Sequence, residues 1–219
     1  MKIIVEANIG AGKTTFLENL KAQNLTKTNI IYEPVDEWIN TKGNDGVNIL
    51  DRFYQDQSRW SFTFQMNSFI SRIKTIEDNI RENSINFIER SVTTDKNCFA
   101  QNCLESNLIS DLEWNIYVKW HKWLVDKFNV YPDMIIYLQT TPETCYKRIK
   151  KRKREEESEI PIEYLTNLHN KHENWLINNN NIPTLVINVN KDFDYNVEIA
   201  NIISQINDFT MKNFNVEIY

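Results

Sequence analysis

A glycine-containing loop near the amino terminus has the residue types needed to hold phosphate groups. The chain reads Val5-Glu6-Ala7-Asn8-Ile9-Gly10-Ala11-Gly12-Lys13-Thr14-Thr15 at this point. The stretch matches the pattern GxxxxGK(S/T), with Ala7 in place of the first glycine. In such loops, backbone N–H groups and the positive end of the following helix dipole face phosphate oxygens. The loop therefore predicts a site for a nucleoside triphosphate.

The side chains of this phosphate loop have separate expected roles. Lys13 would reach the β- and γ-phosphates, and the hydroxyl of Thr14 would be a ligand of Mg²⁺. The backbone around both residues would surround the phosphates. The expected nucleotide-binding residues in the loop are Asn8, Ile9, Gly10, Ala11, Gly12, Lys13, Thr14 and Thr15.

Charged residues at two further points could take part in phosphoryl transfer. Tyr32-Glu33-Pro34-Val35 ends one strand-like segment, and Glu89-Arg90-Ser91 ends another. A carboxylate at the carboxyl end of a strand points into the cleft of an α/β sheet, where it can take a proton from an attacking hydroxyl. Glu33 is therefore a candidate general base. A dense basic run at residues 147–154 stands out in a chain whose total charge is negative.

The elements that must position these residues alternate along the chain. Short runs rich in Ile and Val predict strands at residues 2–7, 29–33, 85–90, 134–139 and 184–189. Helical periodicity predicts helices at residues 13–22, 57–82, 94–105, 110–128, 142–151, 161–178 and 195–206. Strands separated by helices indicate a parallel sheet. The expected fold is α/β, with a five-stranded parallel sheet covered by helices on both faces, in one domain of residues 1–219.

Composition narrows the class of protein. A length of 219 residues suits one compact domain. Lys and Arg number 25 against 30 Asp and Glu, and the net charge of −5 argues against a general binder of nucleic acid or anionic membranes. The spacing of Cys98, Cys103 and Cys145 suits neither a disulfide framework nor a zinc site. No targeting signal is recognised, so we expect a cytoplasmic protein with neither membrane nor nucleic acid as a partner.

The order of the motifs resembles the deoxyribonucleoside kinase family, whose marks are a phosphate loop, an EPV strand end, an ERS strand end and an arginine-rich lid. The likeness continues through residues 59–65, 138–143, 161–165 and 168–176, and it extends from the first strand to about Asn178. The resemblance implies a P-loop kinase with a lid at about residues 148–158. It also implies ATP-dependent phosphorylation of the 5′-hydroxyl of deoxyribonucleosides, a reaction of nucleotide salvage.

The resemblance assigns roles around the transferred phosphate. Glu33 would accept the proton of the 5′-hydroxyl, Arg90 would brace Glu33 and the 5′-oxygen, and Glu89 would hold Mg²⁺. Arginines of the lid would offset charge on the transferring group. The expected catalytic residues are Glu33, Lys13, Arg90, Arg152 and Arg154. Arg148 and Arg152 join the expected ATP site, and Thr14 and Glu89 form the expected metal site.

The resemblance also places the pocket for the accepting nucleoside. The amide of Gln65 suits two adjacent atoms on a base edge. Phe64 and Phe99 would sandwich the base, while Glu157 and Tyr54 would bind the sugar 3′-hydroxyl. The expected substrate-binding residues are Glu33, Trp38, Phe53, Tyr54, Phe64, Gln65, Ser68, Arg72, Arg90, Asp95, Phe99 and Glu157.

Arg72 and Asp95 bear on the choice of base. Family members that favour deoxycytidine and deoxypurines carry this Arg and Asp, whereas those that favour thymidine have smaller or apolar residues there. A charged pair presents hydrogen-bonding groups to an amino- or imino-bearing edge and leaves little space for a methyl group. Ser68 is small and would admit a purine. We expect deoxycytidine, deoxyadenosine or deoxyguanosine to be favoured over thymidine.

Two other functions are compatible with the same fold. A nucleoside monophosphate kinase is one, but Glu33 beside the acceptor would repel an incoming monophosphate. A non-catalytic nucleotide-binding protein is the other, although such a protein would not need Lys13, Glu33 and the lid arginines together. The aromatic residues of the helix around residues 114–123 are interpreted first as part of the core. Because family members dimerise through helices in this region, we also expect a homodimer.

Overall fold

The computed structural model describes residues 1–152, 154, 157, 160–178, 181–190 and 195–218, with only the backbone described at residues 195 and 196. Within these ranges the strands are β1 (Lys2–Glu6), β2 (Thr28–Ile31), β3 (Ile85–Glu89), β4 (Met134–Gln139) and β5 (Thr184–Asn188). All neighbouring strands are parallel, in the order β2-β3-β1-β4-β5. The predicted five-stranded parallel sheet is confirmed.

Helices connect and cover the strands. They are α1 (Lys13–Ala22), α2 (Val35–Asn40), α3 (Ile49–Gln55), α4 (Gln57–Asn79), α5 (Val92–Thr94), α6 (Gln101–Glu105), α7 (Asp111–Phe128), α8 (Pro142–Arg152), α9 (Ile162–Glu173) and α10 (Tyr195–Phe214). A π-helical stretch (Asp95–Ala100) joins α5 to α6, and another (Asn174–Asn178) follows α9. The sequence patterns do not predict α2 and α3 because helices of 6 and 7 residues are too short to display a helical period.

Side chains of the sheet alternate between two cores. Ile3 and Val5 of β1 pack in a core with residues of α1, α8, α9 and α10, whereas Ile4 packs in a second core with residues of α4 and α7. All three side chains are fully buried. Burial on both faces explains why the strands read as continuous apolar runs, and it confirms helices on both faces of the sheet.

Two further expectations from composition can be compared with the structure. Cys98, Cys103 and Cys145 are buried free thiols in the structure. In the part of the chain that the structure describes, every helix lacks the combination of length and hydropathy that a bilayer-spanning helix needs.

Candidate active site

One cavity of about 780 Å³ lies at the carboxyl ends of β1, β2 and β3, the edge where ligands bind in parallel α/β sheets. One side, here called the loop half, is lined by Ile9, Gly10, Gly12, Lys13, Thr14, Thr15, Arg152 and Arg154. The other side, the helix half, is lined by Trp38, Leu50, Phe53, Phe64, Gln65, Ser68, Arg72, Asp95 and Phe99. Glu33, Tyr54, Glu89, Arg90 and Glu157 also line this cavity.

The backbone of the phosphate loop requires glycine at two points. Gly10 and Gly12 have φ angles of 79° and 100°, in the left-handed region that favours glycine. A Cβ at Gly10 would also lie 2.7 Å from the carbonyl oxygen of Cys145. Ala7, in contrast, is not one of the described residues with a positive φ. An alanine can therefore replace the first glycine of the pattern.

Lys13 is a buried cation at the start of α1. Its ammonium group lies 3.5 Å from the carbonyl oxygen of Asn8. Burial, helped by the positive charge of Arg90, lowers the pKa of Lys13 to about 8, against the opposing effect of Glu33 and Glu89. Anionic phosphate oxygens in the loop would favour the charged form of this lysine.

Thr14 and Glu89 form the expected metal site. The Thr14 hydroxyl donates to Glu89 Oε1 at 2.7 Å, and the second carboxylate oxygen lies 3.5 Å from the backbone nitrogen of Glu33. Hydroxyl and carboxylate oxygens suit Mg²⁺. Among the described residues no group of three or more His, Cys, Asp or Glu could enclose an ion. In proteins Mg²⁺ commonly takes its other ligands from substrate phosphates and water.

An ion-pair network centred on Arg72 links the helix half to the middle of the cavity. Arg72 Nε donates to Asp95 Oδ2 at 2.7 Å, and Nη2 donates to Asp95 Oδ1 at 3.1 Å and to Glu33 Oε1 at 2.7 Å. Both Arg72 and Asp95 are 2% exposed. Burial opposes ionisation of Arg72, but the charges of Asp95 and Glu33 outweigh it and raise the pKa of the guanidinium. The contact between Arg72 and Glu33 is not predicted from the sequence.

Glu33 is held in its ionised form. Burial favours the neutral carboxyl, but the charges of Arg90, Arg72 and Lys13 outweigh burial and lower the pKa of Glu33 to about 2. Arg90 Nε lies 3.9 Å from Glu33 Oε1. At neutral pH the carboxylate can therefore accept a hydrogen bond or a proton from a neutral group in the cavity.

Aromatic rings and the unpaired amide oxygen of Gln65 lie in the same helix half. Phe53 stacks on Phe64 with ring centroids 4.6 Å apart, and Trp38 meets Phe64 edge-on at 5.5 Å. The buried Gln65 Oε1 has no hydrogen-bond partner among the described residues, so its acceptor capacity is available to a ligand. Ser68 Oγ lies 3.4 Å from Asp95 Oδ1. Phe64, Ser68 and Arg72 are four residues apart and share one face of α4.

Two of the expected lid arginines meet the carboxylate expected to bind the 3′-hydroxyl. Arg152 Nη2 pairs with Glu157 Oε2, and Arg154 Nη1 pairs with Glu157 Oε1 at 3.1 Å. Burial, and then the negative charge of Glu157, raise the pKa of Tyr54. This places Tyr54 and Glu157 in one electrostatic environment. Of the expected lid, residues 153, 155, 156 and 158 lie outside the described part of the chain.

Three residues expected at the nucleotide site do not line the cavity: Asn8, Ala11 and Arg148. The Asn8 amide donates to the Leu165 carbonyl oxygen at 2.8 Å, behind the loop. Arg148 donates to the carbonyl oxygens of Ala11 at 3.1 Å and Val189 at 2.8 Å. The side chains of Asn8 and Arg148 therefore bind backbone carbonyl groups in and around the phosphate loop and do not face the cavity. The other expected site residues all line the cavity.

Eight cavity-lining residues are not among those predicted from the sequence: Glu18, Lys21, Ala22, Tyr32, Val35, Asp36, Leu50 and Tyr164. Tyr32 precedes Glu33 and Asp36 follows Val35, so closeness to the strand-end motif was an available signal for both. Leu50 and Tyr164 carry no such signal, because an apolar or aromatic residue at helical spacing reads as core.

Comparison with known proteins gives a consistent result over nearly the whole chain. The sequence model of the family described as deoxynucleoside kinase matches residues 3–211. A Fowlpox virus protein named as a probable deoxycytidine kinase is 42% identical over 214 residues, covering 95% of this chain and 87% of the relative. Human deoxycytidine kinase is 39% identical over 221 residues, covering 88% and 85%. The mitochondrial deoxyguanosine kinase of Xenopus laevis is 35% identical over 222 residues, covering 89% and 83%.

Proposed function

The chain belongs to the deoxynucleoside kinase family and is a deoxynucleoside kinase, and from that premise we propose that it phosphorylates deoxycytidine and deoxypurine nucleosides in preference to thymidine. ATP is the phosphate donor that the family implies. The observation that carries the base preference is the buried Arg72–Asp95 ion pair on the wall of the helix half.

The proposed chemistry is an in-line attack of the nucleoside 5′-hydroxyl on the γ-phosphorus of ATP. Glu33 takes the hydroxyl proton as the new P–O bond forms and the bond to the leaving ADP oxygen breaks. Lys13 and the N–H groups of the phosphate loop hold the phosphates. Arg90, Arg152 and Arg154 offset negative charge around the transferred group. Thr14 and Glu89 would hold Mg²⁺, which supplies charge neutralisation at the phosphate oxygens.

The base preference follows from what the Arg72–Asp95 pair offers to a ligand. A carboxylate and a guanidinium can accept from an amino group and donate to a ring nitrogen or carbonyl oxygen. The 5-methyl group of thymine would instead desolvate the charged pair without forming a hydrogen bond. Gln65 can read a second pair of atoms on the base, because its amide oxygen has no other partner in the described structure.

The test is an assay of the purified chain with ATP and Mg²⁺ on deoxycytidine, deoxyadenosine, deoxyguanosine, thymidine and their 5′-monophosphates. We expect 5′-monophosphate products, with kcat/KM for thymidine lower by about tenfold or more than for the best substrate. Equal or better use of thymidine would contradict the base preference. Product formed only from monophosphates would point to a nucleoside monophosphate kinase. ATP binding without any product would point to a non-catalytic protein.

We also propose that the chain forms a homodimer through α7. Leu112 and Trp123 on this helix are 70% and 54% exposed, whereas Tyr117 is buried in the core and stacks on Trp114. Sedimentation velocity should give a dimer for the wild type and a monomer for Trp123→Glu, with the exposed Lys212→Glu as control. A monomeric wild type would contradict this proposal.

The cytoplasmic location also stays a prediction, and imaging of a tagged chain in cells that express it would test it.

A further inference from the structure

Glu6 is a fully buried carboxyl group to which the proposed mechanism gives no role. It ends β1, where the three preceding residues are Ile3, Ile4 and Val5. A carboxyl group in such an apolar strand costs free energy unless it is hydrogen-bonded. Glu6 Oε1 accepts hydrogen bonds from the Ser91 backbone N–H at 2.9 Å and from the Ser91 hydroxyl at 2.6 Å. Glu6 therefore fixes the residue that follows Arg90.

The backbone of Arg90 has an unusual conformation between two anchors. Its φ angle is 67°, in the left-handed region that a non-glycine residue adopts only when its surroundings impose it. On one side, the Arg90 N–H donates to the Val5 carbonyl oxygen at 3.0 Å. On the other side, Glu6 holds both donors of Ser91. Ser91 Oγ also accepts from the Thr94 N–H at 3.1 Å, at the start of α5.

This conformation determines where the Arg90 side chain lies. The guanidinium lies over the Phe99 ring at 4.6 Å from the centroid, and Nη2 donates to the Ala7 carbonyl oxygen at 3.2 Å. Arg90 Nε is 3.9 Å from Glu33 Oε1. A right-handed or extended backbone at residue 90 would point Cβ in another direction, so the guanidinium could not keep all three neighbours.

We propose that Glu6 is a positioning residue for phosphoryl transfer, which holds Arg90 beside Glu33 by anchoring Ser91. The proposal rests on the proposed role of Glu33 as acceptor of the 5′-hydroxyl proton. Loss of the anchor would let the backbone of Arg90 relax and move its charge away from Glu33. The guanidinium would then be displaced from the place beside Glu33 where it can offset charge on the transferred group.

The experiment is a double-mutant cycle in kcat between Glu6→Leu and Arg90→Ala, with the best deoxynucleoside as substrate. We expect Glu6→Leu to lower kcat by up to about 100-fold in the wild-type background, as small misplacements at reacting centres do. In the Arg90→Ala background it should change kcat little, since the group it positions is already missing. Equal losses of kcat in both backgrounds would overturn the proposal.

Two further variants separate positioning from a general effect on folding. Glu6→Gln keeps an acceptor oxygen for Ser91 and should recover most of kcat, and Ser91→Ala should show a smaller loss than Glu6→Leu. These variants keep the proposal testable if Glu6→Leu does not fold. Ile4→Ala in the same strand, as the matched core control, should lower the thermal midpoint without a comparable loss of kcat. Glu6→Leu should lower kcat with little change in KM for ATP, as expected when an interaction made in the transition state is lost. A loss of kcat in Ile4→Ala as large as that in Glu6→Leu, or no recovery of kcat in Glu6→Gln, would overturn the proposal.

The outcomes also distinguish this inference from the proposed function. A wild-type chain that is inactive on every deoxynucleoside would overturn both. Full activity of Glu33→Gln would contradict the proposed role of Glu33, whatever the result of the double-mutant cycle between Glu6→Leu and Arg90→Ala. Normal wild-type activity that requires Glu33, together with additive losses for Glu6 and Arg90, would overturn the positioning role alone.

Discussion

The two halves of the cavity handle charge in opposite ways. In the helix half, Arg72 and Asp95 are buried and already paired with each other, and Arg72 also binds Glu33. In the loop half, Arg152 and Arg154 are 41% and 37% exposed, and both meet the single carboxylate of Glu157. The helix half is therefore organised before any ligand arrives, whereas the arginines of the loop half have partners that a phosphate can replace. Substitutions in the two halves should differ in their balance between stability and catalysis.

The largest expected effect lies where the halves meet. Glu33→Gln removes the proposed proton acceptor but keeps the size of the side chain. We expect kcat to fall by about 100-fold to 10,000-fold, the usual contribution of a general base. Steady-state kinetics would measure the loss. Glu37→Gln, at an exposed position of α2, is the matched control and should leave kcat unchanged. A kcat for Glu33→Gln close to that of the wild type would contradict the assignment of the base.

Arg72→Met tests whether the helix half depends on paired charges. This change leaves Asp95 buried without its counter-charge, so the free energy of unfolding should fall by about 3–5 kcal/mol. Adding Asp95→Ala removes the orphaned charge and should restore part of the loss. Urea unfolding of both variants would measure the difference. If the double variant were no more stable than Arg72→Met alone, the loss of stability would come from the changed side-chain volume and not from the unpaired charge of Asp95.

The same double variant tests the choice of base. Arg72→Met with Asp95→Ala leaves an apolar space beside Ser68, while Arg90 still lies near Glu33. The ratio of kcat/KM for thymidine to that for deoxycytidine should therefore rise, by about tenfold or more. Competition between the two nucleosides in one reaction measures this ratio directly. Ser58→Ala, at an exposed position of α4, should leave the ratio unchanged. An unchanged or lower ratio in the double variant would contradict the proposed role of the pair.

Lys13 gives the loop half a pH dependence. Because its pKa is lowered to about 8 without ligand, the charged form that binds phosphate is lost as the pH rises through that value. We expect kcat/KM for ATP to fall by about tenfold for each pH unit above 8, since this parameter reports the free enzyme. Lys13→Arg keeps its charge and should remove the alkaline limb, even if its activity is lower. If Lys13→Arg showed the same alkaline limb of kcat/KM, a group other than Lys13 would be its cause.

The sequence patterns predict the sheet and the loop half better than the helix half. Both faces of the strands are buried, so their apolar runs are continuous, and the phosphate loop is a local motif whose residues are adjacent. The bond between Arg72 and Glu33 joins residues 39 apart in sequence, and no local pattern indicates it. The left-handed backbone of Arg90 depends on Glu6, which lies 85 residues before Ser91. The pairing of Arg154 with Glu157 is close in sequence, but a run of charges does not reveal which charges meet.

The smallest effect on stability is expected in the loop half. Arg154→Gln removes an ion pair whose arginine is 37% exposed, so the free energy of unfolding should change by no more than about 1 kcal/mol.

The KM of Arg154→Gln for ATP should still rise, because the Arg154 side chain lines the cavity on the side of the phosphate loop. Salt should have a larger effect on KM for ATP in the wild type than in Arg154→Gln, since it screens an exposed charge that the variant lacks. Lys150→Gln, at an exposed position of α8 outside the cavity lining, is the control for a general loss of positive charge. If Arg154→Gln destabilised the fold as much as Arg72→Met, the proposed contrast would be wrong, because the ion pairs of the loop half would then be as important for stability as those of the helix half.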